Sequence, residues 1–191
     1  SGQVVDGVEN EERSYDFALQ KAREAGDEAS LAILEKIGRP VGGCYREIFK
    51  GMMAQRRIMK KYGGHSMKKG TYWSDTALPL LRSREFSFTD KIGLALGYKK
   101  CLTYMWPTTV KCHFMDECTQ FAMPYYIFQG VHDNNTPSSL VQGYFERITA
   151  PDKDLVWFEH SAHGPLGEEP ERYKALLREK FLHRVPEVMG R

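Results

Sequence analysis

Two short apolar runs end in residues able to move protons. Residues 124–130 (PYYIFQG) lead directly into Val131-His132-Asp133, and residues 154–159 (DLVWFE) lead into His160-Ser161-Ala162-His163-Gly164. A carboxylate that accepts the Nδ1–H of an imidazole fixes the ring's tautomer. It also stabilises the imidazolium formed when Nε2 takes a proton. Asp133 and His163 are therefore a candidate acid–base pair, two thirds of a nucleophilic triad. The same two residues have a plainer reading, with Asp133 capping the loop before Pro137 and His163 caught in a glycine-rich turn. His132 and His160 stand close by and are read as neighbours without a role in the pair.

The elements that must position the pair follow from periodicity. Each apolar run has the length and composition of a buried strand. Between them, residues 137–148 carry Leu140, Val141, Tyr144, Phe145 and Ile148 at helical spacing. A last helix opens near Pro170 and is expected to bury Tyr173, Leu176, Leu177 and Phe181. Strand, helix, strand, helix at this spacing predicts a right-handed parallel crossover. In such a sheet, functional groups gather beyond the carboxyl ends of the strands, which is where Asp133 and His163 fall.

Upstream, the pattern is helical. Ser14 is a plausible N-cap for a helix carrying Tyr15, Ala18, Leu19 and Ala22, stopped by Gly26. Asp27 can cap a second helix with Leu31, Leu34 and Ile37, closed by Gly38 and Pro40. Tyr45, Ile48, Phe49, Met52, Met53, Met59 and Tyr62 line a third helix that ends at Gly63-Gly64. A Met-rich stripe of this kind is usually core filling. A fourth helical pattern runs from near Thr89 through Ile92, Leu96 and Leu102 towards Trp106-Pro107.

Composition bounds what these elements can do. The 191 residues, 41% hydrophobic and 12% aromatic, suffice for one ordinary domain with a buried core. With 27 Lys and Arg against 25 Asp and Glu, the net charge of +2 creates no global field that would recruit nucleic acid or a membrane. No apolar run reaches the roughly 20 residues of a membrane span, and no secretory signal is visible, so a soluble cytoplasmic protein is expected. Locally the charge is uneven: residues 1–36 carry a net −5 and residues 45–72 a net +7. The basic stretch, with Arg56, Arg57, Lys60, Lys61, Lys68 and Lys69, could grip phosphates. Two oppositely charged helical segments with solvated outer faces account for it more simply. Cys44, Cys101, Cys112 and Cys118, with His113 beside Cys112, lack the spacing of a zinc site, so reduced, partly buried thiols are expected.

The wording of the two loops is more specific than their pattern. GVHDNNTPSSL followed by APDKDLVWFEHSAHGPLGEEPERY resembles the C-terminal part of the α/β-hydrolases, in the proline iminopeptidase-like, serine aminopeptidase branch. The resemblance covers residues 124–182. That family places its catalytic acid in a G-x-x-D loop with Thr-Pro shortly after, matching Gly130, Asp133, Thr136 and Pro137. Its catalytic histidine follows two small residues, matching Ser161-Ala162-His163, and Glu168-Glu169-Pro170 opens the last helix as it often does there. Residues 1–118 are similar, more loosely, to the helical cap that such enzymes insert into the sheet, entered at Gly2-Gln3-Val4-Val5. The fold class implied is α/β: a helical cap or lid over 1–118, then the C-terminal part of an α/β-hydrolase core over 119–191, with two strands and two helices.

One family feature is absent. The nucleophilic serine of this fold sits in a G-x-S-x-G elbow upstream of the acid, and the chain contains no such string. Gly64-His65-Ser66-Met67-Lys68 comes nearest, but Lys68 stands where glycine is needed, and a Lys/Arg-rich helix rather than a buried strand precedes it. Ser66 is therefore rejected as the nucleophile. The resemblance implies a serine hydrolase cleaving an amide or ester, most plausibly an N-terminal residue from a short peptide. This chain supplies Asp133, His163 and the cap, without metal or organic cofactor. Alone it is expected to be inactive, and its expected partner is the missing N-terminal half or a second copy of itself. Glu9, Glu11 and Glu12 could hold a substrate ammonium, although solvated helix-face charge explains them as well. Trp106 and the Met stripe could wall a pocket or simply fill the cap. The alternative is a non-catalytic fragment that associates through exposed sheet and cap surface.

Overall fold

The structure, a computed structural model, describes residues 6–69 and 78–181. The expected entry at Gly2-Gln3-Val4-Val5 lies outside the described residues, as does the end of the basic stretch at 70–72.

Helix α1, Gly7–Glu24, begins seven residues before Ser14. Asp6 is its N-cap: extended backbone places Oδ1 2.9 Å from the Glu9 N–H. The early start was hidden because Asn10, Glu11 and Ser14 are polar yet face inward, all buried. Helix α2, Glu28–Ile37, has the expected cap, Asp27 accepting from Ser30 N at 3.3 Å, and ends at Gly38 with φ +71°. Helix α3 spans Ile48–Lys61. The short α4, Leu78–Arg82, leads to α5, Phe88–Thr109, which opens with a reciprocal Ser87–Asp90 capping box.

Tyr15, Ala18, Ala22, Leu34, Tyr45, Met52 and Ile58 form the core of this helical layer, with Leu102 and Trp106 of α5 packed against it. Met59 is fully buried as well, so the Met stripe is core filling, and Trp106 donates to Gly43 O at 3.0 Å. The charge asymmetry is resolved between helices: Arg56 of α3 pairs with Glu11 of α1, and Lys61 with Asp27. The two ends of the layer meet. Asp6 and His113 form an antiparallel bridge, Gly7 N donates to Cys112 O at 3.3 Å, and His113 Nδ1 lies 3.0 Å from Asp6 Oδ2. Helix α6, Phe114–Glu117, follows at once, and its Phe114 and Met115 already pack on the sheet side.

The rest follows the expected order of strand, helix, strand and helix. Strand β1, Tyr125–Gly130, connects through α7, Ser138–Arg147, to β2, Lys153–Phe158. The strands pair in parallel, with Tyr125 opposite Lys153 and Gly130 opposite Phe158. Successive side chains of β1 serve opposite faces. Ile127 joins Leu140, Val141, Tyr144 and Ile148 under α7, whereas Phe128 meets Phe158 and Tyr173. Tyr173 belongs to α9, Pro170–Phe181, which follows the one-turn α8, Pro165–Glu168.

Helix α9 does not bury its apolar side as expected: Leu177 and Phe181 are 37% and 46% exposed. The sheet of the described residues has only two strands. The helix therefore has aromatic partners at Tyr173 and, through Phe181, at Tyr126, but no third strand beneath it. Among the described residues no helix is long and apolar enough to cross a membrane. Nor, among them, do three or more His, Cys, Asp or Glu side chains gather as a metal site would require. The cysteines are free thiols, exposed at Cys101 and Cys118 and half-buried at Cys44 and Cys112.

Candidate active site

Gly130, the last residue of β1, brings the two loops together. A Cβ there would lie 2.0 Å from Ala162 O and 2.4 Å from Ser161 O, so only glycine lets the loop after β2 cross the end of β1. His132 N donates to Ser161 O at 3.1 Å and Val131 N to Phe158 O at 3.0 Å, locking the crossing. Asp133 and His163 thereby meet, with His163 Nδ1 3.1 Å from Asp133 Oδ2.

Asp133 is completely buried and fully engaged. Its Oδ1 accepts from the N–H groups of Asn135 and Thr136, each at 2.9 Å. Its Oδ2 accepts from Thr136 Oγ1 at 2.8 Å and Gln129 Nε2 at 3.0 Å, besides the imidazole. Burial pushes the carboxyl's pKa up, but the hydrogen bond and charge of His163, together with the Thr136 donors, outweigh it and hold the group below the ordinary aspartate value. Thr136 therefore does more than precede Pro137. An ionised Asp133 can only accept, so the ring proton of His163 sits on Nδ1 and Nε2 presents a lone pair. That is the geometry of a general base.

The histidine's loop is clamped by two acids. Glu168 Oε2 accepts from Ala162 N at 2.8 Å and Gly164 N at 3.4 Å, and Glu169 Oε1 from Ser161 Oγ at 2.7 Å and His160 N at 3.0 Å. The helical layer completes the setting through the turn after α3. Gly64 O accepts from Asn134 N at 2.8 Å, and His65 O from His163 N at 3.2 Å. The His65 and His163 rings stack, centroids 5.4 Å apart and 26° from parallel. Burial, then the neighbouring charge of His163, pushes His65 down to about 4. From α1, Ser14 Oγ donates to Asn134 O at 2.6 Å and Asn10 Nδ2 to Asn135 O at 2.9 Å.

Ser66 lies in this turn, yet its hydroxyl donates to Glu168 Oε1 at 2.9 Å, which also accepts from Met67 N. It tethers the helical layer to the histidine's clamp, and the polypeptide around it is a bend after a helix. His132 and His160 are exposed and contribute backbone N–H groups only to the hydrogen bonds described above. Glu9 pairs with Arg13 and Glu12 with Arg39 on the surface. Glu11 departs from the expected solvated face: it is fully buried, and its Oε2 has no partner among the described residues.

Gln129, Asn135, His65 and Glu168 are the site residues that the sequence reading missed. Gln129 carried a signal, being the one amide in an otherwise apolar and aromatic strand. Asn135 and His65 act through contacts between distant segments and leave no local pattern, whereas Glu168 reaches back four and six residues to Gly164 and Ala162.

No family model matches the chain, and no solved structure matches it. The chain is similar to a protein of Bacillus subtilis (strain 168) named "Probable aminopeptidase YbaC", with 20% identity over 184 residues. The match takes in 96% of this chain and 56% of that protein, so the chain spans little more than half of its relative's length. That likeness is consistent with a hydrolase.

Proposed function

We propose that this chain is the helical cap and the C-terminal part of the core of an α/β-hydrolase, a serine aminopeptidase of the proline iminopeptidase-like branch. The observation that carries the reading is the hydrogen bond from His163 to a buried, fully hydrogen-bonded Asp133 beyond the ends of two parallel strands. His163 Nε2 takes the proton of a serine hydroxyl as the oxygen attacks the scissile carbonyl. Asp133 stabilises the imidazolium, which then protonates the leaving amine or alcohol. The serine and the oxyanion hole belong to a polypeptide outside these 191 residues, because no G-x-S-x-G elbow occurs within them. The helical layer roofs the site and contacts both catalytic loops.

A second reading has its own observation. The exposed Leu177 and Phe181 beside a two-stranded sheet suit a chain that associates without catalysing. Denaturing intact-mass spectrometry, followed by labelling with a serine-directed fluorophosphonate, separates the two. We expect the chain alone to take no label and to hydrolyse an activated ester no faster than free imidazole. A companion polypeptide carrying the elbow should take the label and restore turnover of an aminoacyl amide. Labelling of the verified lone chain refutes the split assignment, and an unlabelled, inactive complex favours the associating one.

A further inference from the structure

The lone pair of His163 is already engaged. Asn135 Nδ2 stands 3.0 Å from Nε2, the ring nitrogen opposite the one that faces Asp133. Because Nδ1 carries the proton, an amide N–H directed at Nε2 is the complementary arrangement for the neutral ring. Asn135 is built for this contact. Its backbone is held on both sides, N–H to Asp133 Oδ1 at 2.9 Å and carbonyl to Asn10 Nδ2 at 2.9 Å. Its Oδ1 is buried without a partner among the described residues. The backbone is fixed, while the carboxamide can rotate about its broad terminal torsion.

We propose that Asn135 is a placeholder on the general base, occupying the position from which the nucleophile's hydroxyl must donate. The inference rests on reading His163 as that base and deepens it. The hydroxyl replaces the amide as donor to Nε2, and Asn135 is displaced. Turned over, the same carboxamide offers Oδ1 to an Nε2–H, so its idle oxygen gains a partner whenever the ring is protonated. No other side chain described here serves both states of that nitrogen, since Asp133 and Thr136 approach only Nδ1.

The test is carbethoxylation by diethyl pyrocarbonate, which is attacked by the lone pair of a neutral imidazole and expels ethyl carbonate. Rates are read for each histidine by peptide mass spectrometry on the 191-residue chain. His132 and His160, both exposed, serve as internal references, and half-buried His65 reports whether the loop stays folded. Asn135→Ala frees the lone pair and is expected to raise the His163 rate roughly tenfold relative to the references, the factor of one hydrogen bond. Asn135→Asp can only accept, favours a protonated ring, and is expected to slow His163 below the unsubstituted chain. A His163 rate unmoved by both variants overturns the proposal. So does acceleration by both, which would mean that Asn135 merely shields the ring. Where Asn135→Ala also quickens His65, the loop has loosened and the Asp variant alone decides. Loss of the triad reading appears elsewhere, as an active His163→Ala complex, and leaves this contact to stand or fall by its own rates.

Discussion

On the proposed reading, removing the base and neutralising its orienter should cost the reaction about equally. His163→Ala deletes the proton acceptor, and Asp133→Asn keeps the shape while losing the charge that fixes the Nδ1–H tautomer. In the complex that carries the nucleophile, each is expected to lower kcat by about four orders of magnitude. Ser66→Ala removes a tether to Glu168 and should leave kcat within a few fold. Steady-state assays of the three side by side check the set, and an active His163→Ala protein sinks it. His65 supplies a pH signature. Its imidazole protonates near pH 4 when folded but near 6.5 when unfolded. Between those values the unfolded chain binds the extra proton. Stability therefore falls as pH drops from about 6.5 to about 4 and loses nothing more from this group below that. After allowance for partial exposure the loss is about 2 kcal/mol. Asp133, whose pKa is lowered, contributes stability that is present above the unfolded aspartate value and lost only as pH falls through its lower folded value. His65→Phe preserves a ring against His163 and should flatten Tm over pH 4–6.5. An unchanged acid slope would assign that proton to another group.

At the scale of elements, the crossing of two loops over the end of β1 decides whether the pair exists. Gly130→Ala sets a methyl group against two backbone carbonyls. Neither can swing away as a side chain would, so a cost of about 1–3 kcal/mol is expected. The His163 loop must also shift away from Asp133. Loss of the low-field Nδ1–H proton resonance, in a chain whose far-ultraviolet circular dichroism is unchanged, is the outcome to look for. The sequence made this crossing half legible. Two apolar runs ending in Asp and His loops announced the strands, the parallel pairing and the edge where the residues meet, because an unbroken apolar run of strand length is a local signal. Helix α2 was equally plain from Asp27 and Gly38. The start of α1 was not, because Asn10, Glu11 and Ser14 face inward to reach Asn134, Asn135 and Arg56. A polar stripe reads as solvated until its distant partners are known. His65 and Asn135 were illegible for the same reason.

For the whole molecule, the exposed side of α9 sets how the chain behaves in company. Leu177 and Phe181 are part-exposed on a helix packed against a sheet that has two strands among the described residues, and on the proposed reading they face the polypeptide that carries the nucleophile. Leu177→Glu with Phe181→Glu should weaken co-purification with that polypeptide at least tenfold, by about 1.4 kcal/mol or more. Tm of the lone chain should hardly move, and sedimentation velocity together with a pull-down checks both. Unaltered association would place the interface elsewhere. The bridge between Asp6 and His113 has a consequence of another kind. Gly7 N and Cys112 O are 3.3 Å apart, so the helical layer begins and ends at one point, from which Phe114 passes on to the sheet side. Everything between is a closed excursion, which a turn of a few residues could span. Excised there, the helical layer would come away like a hood, uncovering one face of His163 while leaving the strands that hold its loop continuous. On the proposed reading, the same point is where a different hood could be grafted, with the base and its orienter kept and the choice of substrate rewritten.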